Sequence, residues 1–243
     1  MHRASPASPS HRPIFDAPGQ PWRGILRRGT RTAPRQQLLP GQGQAALVFP
    51  RYGAGPESTL RLRGALDGAG FRSFDWGYGT DTGPRSGSLR NRLRYLEEKV
   101  IDLFEAERQP LTLIGWGFSG LYARELAKRV TPLVRQVITL GTPFNAGAGE
   151  CAMLRPLHDQ SGRVPEALQR QLRERPPVPC TSIYTMGDGA VPWQMCVAPE
   201  SPGSETILVP VASHRQLADH ALVREIIADR LAQPGGDWAP FAG

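Results

Sequence analysis

From residue 45 onward, apolar positions switch between runs and helical spacing. Ala45–Phe49 is a short apolar run ending at Pro50, the length of a buried strand. Glu57–Ala69 places Leu60, Leu62 and Leu66 along a stretch that stops at Gly70, which predicts a helix. Phe71–Trp76 predicts a second strand, and Gly77–Gly87 a loop dense in Gly, Asp and Thr. Over Ser88–Arg108, Leu89, Leu93, Leu96, Val100, Leu103 and Phe104 recur at three- and four-residue steps with charges between them. That is an amphipathic helix.

The alternation continues downstream. Leu111–Gly115 and Arg135–Leu140 predict strands, with a helix over Leu121–Val130 between them. Residues 145–178 contain Pro156, Pro165, Pro176 and Pro177 and predict an inserted lid or cap. Thr181–Tyr184 and Thr206–Val209 predict the last strands, and Gln216–Leu231 a closing helix. Strands alternating with helices imply an α/β fold, a mainly parallel sheet with helices on both faces. Residues 45–243 form one such domain.

Charge adds a separate segment at the start. The chain carries a formal net charge of +7, which taken alone suggests a nucleic-acid partner. Six of those charges sit in residues 1–44, where seven arginines face a single acid, Asp16. The body is close to neutral, so no nucleic-acid surface is expected on it. Residues 1–44 are rich in Pro, Ser and Gln without hydrophobic periodicity and predict a basic, flexible arm. No apolar run reaches the ~18–20 residues of a membrane span, and no apolar stretch of ~7–15 residues follows the basic start as in a signal peptide. Cys151, Cys180 and Cys196 lack metal-type spacing, so free thiols, a cytoplasmic setting and neither metal nor cofactor are expected.

Chemistry concentrates in Leu111-Thr-Leu-Ile-Gly-Trp-Gly-Phe-Ser-Gly-Leu-Tyr-Ala-Arg-Glu-Leu-Ala127. A strand that turns sharply into a helix needs small residues where the two backbones crowd, and a tip residue that tolerates positive φ. With Gly117 at the tip, Gly115 and Ser119 supply the small flanks. With Ser119 at the tip, branched Leu121 would fall where the backbones meet, so the first frame fits better.

This segment resembles the nucleophile elbow of α/β-hydrolases, and the likeness extends along the chain. Val48-Phe-Pro-Arg-Tyr52, Phe74-Asp-Trp-Gly-Tyr78, Val137-Ile-Thr-Leu-Gly-Thr-Pro-Phe144 and Asp188-Gly-Ala-Val-Pro-Trp193 occur in the order found in bacterial esterase/lipase-like α/β-hydrolases, over roughly residues 45–232. The resemblance implies a carboxylic-ester hydrolase lineage, with Asp188 as the acid and His214 as the histidine of a triad in the chain order nucleophile, acid, histidine. It implies an oxyanion hole from the backbone N–H groups of Tyr52 and Phe118. The chain departs from the family at two places. Gly117 stands where the family has serine, and Arg51 where the first turn carries glycine. Two functions follow. One is a protein with weak or no ester hydrolysis that keeps a pocket for a small-molecule ester or acyl ligand. The alternative is an active hydrolase using Ser119, or a water activated by the His214–Asp188 pair.

Overall fold

The computed structural model describes residues 41–84, 89–146, 151–199, 201–236 and 238–242, so the basic arm lies almost wholly outside the described residues. Six strands form one sheet: β1 Ala45–Phe49, β2 Arg72–Asp75, β3 Leu111–Trp116, β4 Val134–Leu140, β5 Cys180–Tyr184 and β6 Ser204–Leu208. The order across the sheet is β2-β1-β3-β4-β5-β6, and every pairing is parallel. Five helices cover it: α1 Leu60–Gly68, α2 Leu89–Glu107, α3 Ser119–Arg129, α4 Glu166–Arg173 and α5 Ala221–Ala232.

The apolar runs are continuous because both faces of the sheet are covered. Ala45, Leu47, Phe49, Leu111 and Leu113 point into a core shared with α2 and α3. Their neighbours Ala46, Val48, Ile114 and Trp116 point the other way, into a core shared with α1 and α5. The helical spacing read over Ser88–Arg108 is the inward stripe of α2, where Leu89, Leu93, Leu96, Val100 and Leu103 are buried. The segment between β4 and β5 contains α4 and a short 3₁₀ run, Ala152–Leu157. It buries Leu154, Leu157, Val164 and Leu172 in the α2–α3 core.

Two elements differ from the periodicity. The closing helix begins at Ala221, not Gln216, because residues 214–216 form a separate 3₁₀ turn that positions His214. The helix expected over Glu57–Ala69 opens with a 3₁₀ turn at Pro56–Thr59, since proline fixes φ at the first turn and cannot donate a hydrogen bond.

The sheet order locates the crevice. From β1 the chain moves outward to β2, then returns to place β3 on the other side of β1. The loops after β1 and β3 therefore leave toward opposite faces, α1 on one and α3 on the other. In open α/β sheets, ligands bind at the carboxyl ends of strands where the order reverses in this way.

Candidate active site

At that point β3 ends at Trp116, Gly117 adopts φ +61°, and α3 begins at Ser119. The left-handed conformation is open to glycine and costs other residues about 1–2 kcal/mol. Strand and helix touch closely here. A Cβ on Gly115 would run into the backbone of Gly120, and one on Gly120 would run into the Thr142 side chain. The partner Gly115 meets is thus Gly120 with the Ser119 carbonyl, not the Ser119 side chain. Gly117 N–H donates to the Leu140 carbonyl at 2.7 Å, which ties the tip to β4.

Ser119 is fully buried and turned away from the tip. Its hydroxyl donates to the Pro50 carbonyl and lies 3.2 Å from Asp81 Oδ2. The Asp81 carboxylate is buried behind the turn, accepting hydrogen bonds from Gly83 N–H at 2.9 Å and from the Tyr122 hydroxyl at 3.4 Å. Its backbone pairs with the loop after β1, accepting from Gly53 N–H and donating to the Ala54 carbonyl. Burial pushes the Asp81 carboxyl above its usual range, against the hydrogen bonds that favour its charged form. Asp81 escaped the sequence pattern because it lies in a loop crowded with polar residues, where only depth in the fold distinguishes it.

Asp188 and His214 come from the loops after β5 and β6 and meet. His214 Nδ1 lies 2.7 Å from Asp188 Oδ2, and the carboxylate accepts the ring N–H. Asp188 Oδ1 accepts N–H from Ala190 and Val191 at 3.0 and 2.7 Å, and His214 N–H donates to the Asp188 carbonyl. Trp116 Nε1 donates to the His214 carbonyl at 3.1 Å, joining the histidine loop to the end of β3. Gly141, at φ +56°, makes room for the pair: a Cβ there would sit 2.8 Å from Asp188 Oδ2 and 2.9 Å from His214 Nδ1. The Gly-Thr-Pro turn was visible in the sequence, but its packing against the pair was not.

With the Nδ1 proton given to the carboxylate, Nε2 presents its lone pair. It is buried and has no hydrogen-bond partner. It faces the tip, where a Cβ on Gly117 would lie 2.7 Å from Nε2 and 3.1 Å from Met153 Sδ. Met153 belongs to the segment between β4 and β5 and escaped sequence analysis for want of any motif. Tyr52, after β1, packs its ring 5.7 Å from that of Phe118. The backbone N–H groups of Tyr52 and Phe118 have no acceptor among the described residues. The charge of Arg51 reaches Glu57, whose carboxyl is held low first by its own N–H and that of Gly55. Burial pushes the thiols of Cys151 and Cys196 up, so neither is a ready thiolate. Among the described residues no cluster of His, Cys, Asp and Glu has a metal-binding arrangement.

No family model and no curated protein matches the chain. Solved structures do. Aspergillus fumigatus lipase B aligns with a TM-score of 0.62 at 14% identity, over 79% of this chain and 53% of that lipase. The monoacylglycerol lipase of Paleococcus ferrophilus aligns at 0.56 and 14% identity, over 80% of this chain and 96% of that one. A bromoperoxidase from Bacillus anthracis aligns at 0.54 and 17%, over 79% of this chain and 92% of that one. The chain has the α/β-hydrolase fold found in esterases and lipases. These neighbours carry more than one chemistry on that fold, so activity must be argued from the site.

Proposed function

We propose that the chain is an esterase/lipase-type protein whose nucleophile position is held by Gly117. It keeps an ester- or acyl-binding site while hydrolysing simple esters weakly or not at all. The observation that carries this is the alignment of the buried Nε2 of His214 with the place where Gly117 has no side chain. A serine nucleophile needs a hydroxyl within hydrogen-bond reach of the imidazole, and the tip offers none. Asp188 holds the imidazole in the tautomer that leaves Nε2 facing the tip. The N–H groups of Tyr52 and Phe118 supply an oxyanion hole for a carbonyl oxygen. Residues 145–178 act as a cap that brings Met153 over Gly117. The three free cysteines, all buried, fit a reducing cytoplasm.

Attack by Ser119 is not favoured, because its hydroxyl is committed to Pro50 on the far side of the turn. The test is the initial rate on p-nitrophenyl butyrate, with fluorophosphonate labelling, for wild type, Gly117→Ser and Ser119→Ala. We expect no labelling and negligible turnover in wild type, no change in Ser119→Ala, and a gain in Gly117→Ser. His214 must withdraw by several tenths of an ångström to admit the serine. The gain should therefore be on the order of 10²-fold, short of the ~10⁶ a nucleophile is worth in an intact triad. Wild-type hydrolysis that Ser119→Ala abolishes would overturn the proposal.

A further inference from the structure

We propose that the site acts on esters that bring their own hydroxyl, closing γ- or δ-hydroxy esters to lactones with release of the alcohol. This rests on Gly117 being the tip of the elbow.

The pair of Asp188 and His214 is braced on every side, by two backbone N–H groups on Asp188, by the Trp116 indole and by the room Gly141 leaves. His214 is only 5% exposed, and its Nε2 has no partner. A buried acceptor left unpaired costs about 1–3 kcal/mol, so this atom is poised for a proton donor. The protein supplies none, since Ser119 donates to Pro50 and Cys151 Sγ to Ala190. The space beside Gly117 also selects the donor's element. A separation of 2.7 Å from Nε2 is a clash for carbon but an ordinary hydrogen bond for oxygen. Met153, a flexible thioether over the same space, turns aside to admit it.

A hydroxyl tethered to the acyl chain fits these demands better than a free water. Tethering replaces a bimolecular encounter by an intramolecular one, worth effective molarities of about 10⁵–10⁸ M. A three- or four-carbon path from hydroxyl to carbonyl closes a five- or six-membered ring. His214 Nε2 takes the hydroxyl proton as the oxygen forms a bond to the carbonyl carbon. The carbonyl electron pair moves onto its oxygen, facing the Tyr52 and Phe118 N–H groups. That pair then reforms the carbonyl as the bond to the leaving alkoxide breaks, and the alkoxide takes the proton from Nε2. One ester becomes one lactone and one alcohol. No water is consumed, and the imidazole ends neutral as it began.

The experiment follows the methyl ester of γ-hydroxybutyrate by NMR in heavy-oxygen water. Methyl butyrate and the γ-methoxybutyrate methyl ester, whose hydroxyl is capped, serve as controls. Wild type should form lactone and methanol on the order of 10²–10⁴-fold faster than His214→Gln, the range of general-base catalysis. The lactone should carry no label at early times, neither control ester should turn over, and Asp188→Asn should lower kcat more than it raises KM. Circular-dichroism melts establish that the variants are folded. Lactone formation at the same rate in wild type, His214→Gln and buffer would overturn the proposal. So would a labelled hydroxy acid as the first product, since water would then be the nucleophile. Failure of the glycine-tip assignment reads out separately, as p-nitrophenyl butyrate hydrolysis that Ser119→Ala removes.

Discussion

The two sides of the crevice are built unequally. On the β5–β6 side, Asp188 and His214 meet at 2.7 Å, and every atom but Nε2 has a partner. On the β3–α3 side the backbone keeps a tight turn, with Gly117 at φ +61° and Gly115 against Gly120, but the tip carries no side chain. A pocket drifting toward mere packing would have little reason to hold a buried imidazole unpaired at one atom. A working serine hydrolase would not leave the tip bare. The difference places the change in chemistry at one residue and leaves the acid–histidine side ready for a donor from elsewhere.

The largest expected effect tests whether the bare side still depends on its turn. Gly115→Ala would drive a Cβ into the backbone of Gly120, which cannot rotate away as a side chain can. We expect a loss of about 3 kcal/mol, roughly 10 °C in Tm, by thermal melt. A loss near zero would show that strand and helix are not in close contact there. Next comes the braced side. Gly141→Ala combines a positive φ with a collision against both members of the pair, and should cost about 2 kcal/mol. Its NMR signature is displacement of the His214 ring resonances, and unmoved resonances would mean the pair is not packed on Gly141.

A smaller effect separates structure from chemistry on the elbow. Ser119→Ala removes a buried hydrogen bond to Pro50 and should cost about 1 kcal/mol by urea denaturation, without altering any turnover Gly117→Ser confers. A parallel loss of that turnover would move the nucleophile to Ser119. The smallest effect concerns Asp81, whose carboxyl is raised by burial and so binds its proton more tightly when folded than unfolded. Stability from this group is fullest below the unfolded value near pH 4. It declines as pH rises through the raised folded value and then levels off. Asp81→Asn should flatten that stretch of the pH–Tm curve and be neutral or stabilising by up to about 1 kcal/mol at pH 7. A clear destabilisation at pH 7 with the slope intact would show that the negative charge is needed in place.

What the sequence determined by itself was the list of elements and the order of the chemistry. Apolar runs of strand length and the three-to-four spacing of α2 identify themselves because each is a local consequence of which faces must be buried. The glycine-rich turn after β3 is equally local, since only small residues fit where a strand folds straight into a helix. Tertiary structure decided which distant atoms those elements bring together. Ser119 could not be assigned to the tip or to Pro50 until β1 lay beside β3, a contact 69 residues long in sequence. Asp81, Gly141 and Met153 carry no periodic signal, and each matters only because of what packs against it. The closing helix starts late for the same reason, as the segment before it is spent on holding His214 against Asp188. Local burial writes itself into residue order, whereas a site assembled from the ends of several strands exists only once the sheet has fixed where those ends converge.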